Sequence, residues 1–370
     1  MLRSVTLPFV GDVRRGRFVN RENRFTAHIK LDDGGQTVAC HCINPGRMEA
    51  FVEAGAVVWA RRVPAAEREK RKTEWTWELI ERDGVVCSTN TQRPNALMAA
   101  VLEAGVLAGF RGATAIVAEK TIPGDDDEKT KSRCDFFCVD DDGFDHWIEV
   151  KNCHSSYPDE PLLRSYGYFP DSVSERAARH CRELAKLAAK PNTRCTVVIV
   201  ASRADATKGI RPSDYHDPGF AAAARAARDA GVAFRGLRAT NSPTGGTTVE
   251  NEIAVDLAPP PPEALGAMHR AWKRASAITG WDRTFGADAP KRVANGPFAH
   301  NKKRDGCFDA AAPEANASGH FRAPETFSEH FADATPGGSG PKKVESVDAT
   351  PPPKKKRPRR KAPTTPANNT

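Results

Sequence analysis

Close to residue 88 the apolar residues of this chain stop recurring at every second position and begin to recur every third or fourth. Two different packing units must therefore follow one another. Before the switch, Phe25–Leu31 alternates, Asp32-Asp33-Gly34-Gly35 supplies a turn, and Thr37–Cys40 resumes the alternation. Ala56–Ala60, Trp75–Ile80 and Val85–Cys87 continue in the same way. Short strands joined by polar turns predict a small β-barrel over residues 1–88, and an OB-like barrel is one solution.

After the switch, Leu97, Met98, Val101, Leu102 and Leu107 keep helical spacing behind Pro94. Strands are predicted at Thr114–Thr121, Cys134–Val139 and His146–Lys151, then a helix at Ser172–Lys190 and a strand at Cys195–Ala201. A helix at Gly219–Ala230 and a strand at Val232–Leu237 close the series. The expected class is α/β: a mixed sheet flanked by helices over residues 89–257, behind the barrel. Beyond Leu257 this grammar fails. Residues 258–370 are expected to be a mostly disordered basic tail, although Leu265, Met268, Trp272 and Ile278 have the spacing of a helix that docks back.

The charge separates along the same boundary. The whole chain carries +8, and residues 258–370 hold 19 basic and 11 acidic residues, so the folded part is neutral. The pI therefore says nothing by itself about nucleic-acid binding by the domains. Within the tail, Lys354, Lys355, Lys356, Arg357, Arg359, Arg360 and Lys361 read as a nuclear-localisation run, whose partner is an import receptor, or as a nonspecific nucleic-acid arm. Nuclear location is the expectation, with cytoplasm as the alternative. No stretch has the length of a membrane span, and the N-terminus lacks the apolar core of a secretory signal. Nine cysteines, scattered through apolar runs, predict reduced buried thiols rather than a disulfide framework or a zinc cluster at Cys40-His41-Cys42. Nothing in the sequence sets an oligomeric state.

The chemistry lies in Trp147-Ile148-Glu149-Val150-Lys151. On a strand, Glu149 and Lys151 share a face, about 7 Å apart. Charges in an apolar strand are costly unless paired. A turn at Asp140–Gly143 would fold the preceding strand back and bring Asp135 near Glu149. Two adjacent carboxylates favour a divalent cation, and oxygen ligands suit Mg²⁺ or Mn²⁺. Lys151 would hold the attacking water or offset phosphate charge, which is metal-assisted phosphodiester hydrolysis. Glu119 could complete the acidic cluster. The same spacing also arises in surface salt bridges.

The chain resembles the sugar fermentation stimulation proteins from Leu7 to Leu257. The likeness is carried by His41-Cys42-Ile43-Asn44-Pro45-Gly46-Arg47-Met48, Asn90-Thr91, Arg93-Pro94-Asn95-Ala96-Leu97 and Ser132-Arg133-Cys134-Asp135-Phe136. Ile148-Glu149-Val150-Lys151-Asn152, Tyr168–Arg176 and His180, Glu183 and Leu184 continue it. The resemblance implies an OB-type domain joined to a PD-(D/E)xK nuclease-like domain, with the motif on Asp135, Glu149, Lys151 and a fourth member at Glu119. It also implies DNA binding without strong sequence preference and a role in bacterial sugar metabolism. Cys134 replaces the Pro of the motif, Ile43 and Pro45 depart from the usual Pro and Thr, Cys153–Tyr166 is a long connection, and Asp125–Lys131 looks inserted.

For DNA contact, Arg14, Arg15, Arg17, Arg21 and Arg24 interleave with Phe18 and Phe25, which offers cations for phosphates and rings for bases. The alternative is an edge strand with both rings in the core. Arg68, Lys70, Arg71 and Lys72 form a second basic loop. Ser172-x-x-Glu175 reads as a capping box that leaves a positive helix end free, beside Arg176, Arg179 and His180. The combined expectation is a DNA-binding protein with a Mg²⁺-dependent nuclease site. A non-catalytic binder on the same scaffold, and an RNA-directed role, stay open.

Overall fold

Eleven residues, Val13–Asn23, form the strand on which the first domain is wound. In this computed structural model it is β2, and its partners are β3 (Thr26–Leu31) and β5 (Val57–Arg62). A side chain on Gly16 would come within 2.5 Å of the Lys30 carbonyl oxygen, so only glycine lets β3 cross β2 this closely. Strands β4 (Thr37–His41) and β6 (Trp75–Arg82) pair in parallel at Cys40↔Trp75 and His41↔Thr76, which closes the sheet into a barrel. The order β4-β3-β2-β5-β6-β7 ends on β7 (Val85–Ser88), and a one-turn helix α1 (Ala65–Arg68) lies between β5 and β6. This is the expected OB-like barrel. Its core holds Phe18, Ile29, Val58, Trp77 and Ile80, with Phe18 stacked on Trp77 at 5.1 Å.

The structure describes residues 3–23, 25–44, 46, 48, 52–69, 71–123 and 132–279, save the side chains at 22, 23 and 275–279. Arg24, Lys70 and the basic run at 354–361 fall outside them.

The second domain is a seven-stranded sheet, ordered β1-β15-β14-β12-β10-β9-β8. Its strands are β1 (Val5–Leu7), β8 (Thr114–Thr121), β9 (Arg133–Val139), β10 (Asp145–Cys153), β12 (Thr193–Ala201), β14 (Ala233–Ser242) and β15 (Gly246–Ile253). The parallel centre β10-β12-β14 is buried on both faces, as the unbroken apolar run of β12 requires. Helix α2 (Arg93–Glu103) covers one face, against Ile148, Val150, Val198 and Val200. Helices α3 (Glu175–Ala188) and α4 (Pro218–Asp229) cover the other, against Trp147, Cys195, Val197 and Ile199. A small parallel pair, β11 (Tyr166–Phe169) and β13 (Gly209–Pro212), sits beside them, and α5 (Pro262–Thr279) follows.

Strands β1, β11, β13 and β15 were not among the expected elements. Strand β1 comes from the N-terminal segment assigned to the barrel, yet it pairs with β15 of the second sheet. The barrel is mounted on that sheet by polar contacts. Ser88 N donates to the Ser202 carbonyl, Asn241 Nδ2 donates to the Val86 and Ser202 carbonyls, and Asn90 Nδ2 donates to the buried Glu78 carboxylate. From the other side, Met48 N donates to Asp171 at 3.4 Å across Gly46, where a Cβ would crowd the same carboxylate at 3.3 Å.

Helix α3 starts two residues later than the capping box predicts. Ser174, not Ser172, is the N-cap and accepts from Ala177 N, while Val173 is exposed rather than part of the buried stripe. The reason is Asp217, which caps α4 through Phe220 N at 2.8 Å and also accepts Ser174 N at 2.7 Å. A carboxylate thus already occupies the helix end that was expected to be free for phosphate. Helix α5 docks with Met268 buried and Trp272 half-buried, while the side chain of Ile278 lies outside the described residues.

Candidate functional site

Register brings the three predicted residues together at the centre of the sheet. Strands β9 and β10 pair antiparallel as far as Ile148↔Phe136. Beyond that point the Asp135 side chain takes over as acceptor, receiving Val150 N on Oδ2 at 2.7 Å. Its other oxygen accepts Asn95 Nδ2 at 2.7 Å, from the first turn of α2. On β10, Ile148 and Val150 face α2, so Glu149 and Lys151 point to the α3 side. There Glu149 Oε1 bonds to both Lys151 Nζ and the Nδ1 of His180. Glu149 and His180 are each only 2% exposed.

Both donors sit on one oxygen of Glu149. The other, Oε2, is buried without a hydrogen-bond partner. An orphaned carboxylate oxygen is costly in a protein interior, and it marks a place where a cation or water would be held. Electrostatics agree. Burial pushes the Glu149 carboxyl upward, but Lys151 and His180 outweigh it and hold the group down at about 2. The Asp135 carboxyl is raised, first by burial and next by the Glu149 charge, against the pull of Lys151, Val150 N and Asn95. The two carboxylates therefore sense each other directly.

Of the stabilising partners, Asn95 was not among the predicted site residues, and His180, read from sequence as a companion of Arg176 and Arg179 at the helix end, is instead buried against Glu149. Both lie in stretches that carry the family resemblance, but only packing shows that they meet the carboxylates from opposite faces of the sheet. Glu119 is not brought to the cluster. By register it stands across from Asp135, but its backbone takes φ 54° and its side chain, 55% exposed, pairs with Arg133 at 3.4 Å. Among the described residues, no three of His, Cys, Asp and Glu converge as a metal cage. All eight cysteines in the described residues are buried free thiols, and burial raises those of Cys134 and Cys181 beside the site.

The basic residues divide sharply. Arg14 pairs with Asp12 and Asp33, and Arg15 with Asp32, so their charges are already met within the barrel. Arg21 is fully buried, and its guanidinium holds the Asn44 and Gly46 carbonyls. Phe18 is core, whereas Phe25 is 55% exposed. Among the described residues Arg17 bonds to the Gly55 carbonyl, and it stands directly across from exposed Lys30. Like charges opposed on neighbouring strands destabilise a sheet, and neither has an acidic partner among the described residues. Arg71 donates to Thr76 Oγ1, and Lys72 is exposed. On α3, Arg176 is exposed without an ion pair among the described residues, and Arg179 pairs with Glu183 at 3.5 Å.

Comparison with known proteins adds what geometry cannot. Residues 19–89 match the family described as the SfsA N-terminal OB domain, and residues 92–245 match the sugar fermentation stimulation protein RE domain. A sugar fermentation stimulation protein homolog of Methylobacterium radiotolerans is 37% identical over 260 residues, spanning 69% of this chain and 100% of that protein. The chain belongs to the sugar fermentation stimulation protein family. A Pseudomonas putida homolog is 35% identical over 225 residues, covering 60% of this chain and 88% of its own length. The solved structure titled Pyrococcus furiosus SfsA in complex with Ca²⁺ shares the fold at TM-score 0.57 and 22% identity, over 68% of this chain and 99% of that one. These two curated relatives are bacterial, and nothing in the comparisons supports the nuclear-import reading of the 354–361 run. Among the described residues no helix is long and apolar enough to cross a membrane.

Proposed function

We propose that this protein binds DNA and hydrolyses phosphodiesters with a Mg²⁺- or Mn²⁺-dependent site made of Asp135, Glu149 and Lys151. One observation carries the proposal: the buried Glu149 has one oxygen held by two donors and the other left bare, on a strand whose next residue, Val150, donates its N–H to the Asp135 carboxylate. That donor set fits Mg²⁺, which keeps much of its water and is usually held by only one or two carboxylates together with substrate phosphates. A full cage of protein ligands is not needed, and Glu119 is dispensable. The Ca²⁺ complex of the Pyrococcus protein is consistent with a hard-cation site in the family.

In this scheme Glu149, through the oxygen left without a partner, and Asp135 would hold the ion. When bound, the ion supplies a Lewis acid for the phosphate and a bound water of lowered pKa. His180 and Lys151 fix the rotamer of Glu149 and keep its bare oxygen in place. Asn95 and Val150 N do the same for Asp135. Lys151 remains beside the site as a charge to offset a phosphate. The barrel contributes affinity through Arg17, Lys30 and exposed Phe25, with Lys72 and Arg176 as further cations, in the manner of a groove that tracks a backbone. We place the protein in the cytoplasm, as a member of a family with bacterial relatives.

A non-catalytic binder is favoured by one feature: Lys151 pairs with Glu149, and His180 hydrogen-bonds the same oxygen, without any ion. The deciding experiment incubates the protein with single-stranded and duplex DNA and with RNA, in Mg²⁺, Mn²⁺ or EDTA, beside Glu149→Gln. Metal-dependent cutting that the variant lacks supports the enzyme and names its polymer. Salt-sensitive binding without cutting, indifferent to EDTA and to the variant, supports the binder.

A further inference from the structure

Helix α5 follows Leu257, where the sequence resemblance to the family stops, and 69% of this chain already matches the whole Methylobacterium protein. It is nevertheless firmly seated. Ala264, Ala267, Met268 and Ala271 are buried against Tyr157, Leu163 and Tyr168, and His269 Nδ1 lies 3.0 Å from the Tyr215 hydroxyl. Trp272 packs against the barrel core. The helix therefore bridges the barrel and the connection that leaves β10 just beyond Lys151.

Its outer side carries Arg270, Lys273 and Arg274, all exposed. Local helix physics does not explain them. None lies in the last turn, so they do not answer the helix dipole, which acts only there. Arg270 and Arg274 are four apart, a spacing at which like charges repel along a helix. A single carboxylate, Glu160, faces both, at 2.7 Å from Arg274 and 3.6 Å from Arg270. Lys273 has no acidic partner among the described residues, and its ammonium lies 5.5 Å from the Trp272 ring. The cluster is left with more positive charge than the fold uses, on a rigid mount.

We infer that the exposed side of α5 is a phosphate-backbone contact for the nucleic acid this protein binds, an inference that rests on the DNA-binding proposal above. A linear polyanion is the occupant that fits. It meets a row of cations without requiring a shaped pocket, and the barrel surface of Arg17 and Lys30 leaves further unneutralised charge in the same compact unit. Helix α5 lies outside residues 19–89 and 92–245, the stretches that match the two family domains, so this contact would add to what those domains carry.

The test uses the full chain and a labelled 30-nucleotide DNA, single-stranded and duplex, in fluorescence anisotropy across a KCl series. The variant is Arg270→Ala with Lys273→Ala, which spares the Arg274–Glu160 pair and the buried side of the helix. Urea unfolding of parent and variant checks that the fold is kept. The expected result is weaker binding at every salt concentration and a log–log salt slope shallower by about two, one for each lost phosphate contact. Arg228→Ala, at an exposed arginine already paired with Asp229 at 2.8 Å, should leave that slope unchanged. An unaltered slope and affinity in the α5 variant, with the parent binding, would overturn the α5 contact alone. A parent that binds neither form of DNA would overturn both this inference and the DNA-binding proposal. Competition by polyglutamate as effective as by DNA of equal charge would reassign the surface to acidic proteins.

Discussion

Replacing Glu149 by Gln should destabilise the protein at neutral pH and much less in acid. The folded carboxyl sits at about 2 against an ordinary 4.5. A group held below its unfolded value stabilises the fold above the unfolded pKa, and that contribution fades as pH falls toward the folded one. A shift of this size corresponds to about 3 kcal/mol at pH 7, of which about half remains near pH 3. Glu149→Gln keeps the shape and an acceptor for Lys151 and His180 but removes the charge. The raised Asp135 carboxyl trims the loss, because the variant also relieves its repulsion from Glu149. Urea unfolding at pH 7 and pH 3 measures the gap between parent and variant. A gap that stays the same at both pH values would refute the electrostatic account of the buried Glu149.

Three further outcomes follow from the same contacts. Asn95→Ala, which frees one oxygen of Asp135, should weaken Mn²⁺ binding and lower stability by about 1–2 kcal/mol in urea unfolding; unchanged metal affinity would remove Asn95 from the site. Asp217→Ala uncaps α4 and releases the Ser174 N–H that anchors the start of α3, and should lower stability by about 2 kcal/mol in urea unfolding. On the barrel, Arg17→Ala with Lys30→Ala should weaken DNA binding and flatten its salt dependence, whereas Arg14→Ala with Arg15→Ala, whose charges are already paired, should change binding far less in the same anisotropy assay.

Much of this architecture was legible because local rules governed it. Alternation between Phe25 and Leu31, the turn at Asp32–Gly35 and the apolar run of β12 each depend on neighbours a few residues away. The pairing of β9 with β10, which sets Asp135 and Glu149 on adjacent strands, was legible too, since a short turn at Asp140–Gly143 fixes one hairpin register. What stayed hidden depends on distant packing. Asp217 moves the start of α3 from 43 residues further along the chain, and Asn95 and His180 reach the carboxylates from helices on opposite faces. Glu119 holds the right register but lies on a backbone that leaves the strand conformation, which no spacing rule foresees. The arginines of β2 look alike in sequence. Only the fold shows that Asp12, Asp32 and Asp33 answer two of them, that Arg21 is structural, and that Arg17 faces Lys30.

The most direct measurement is calorimetric titration of Mn²⁺ into the parent protein, Asp135→Asn and Glu149→Gln at neutral pH. Shared holding of the ion predicts one site in the parent that either substitution abolishes. Undiminished Mn²⁺ affinity in either variant, with the fold intact, would show that these two side chains do not hold a cation together.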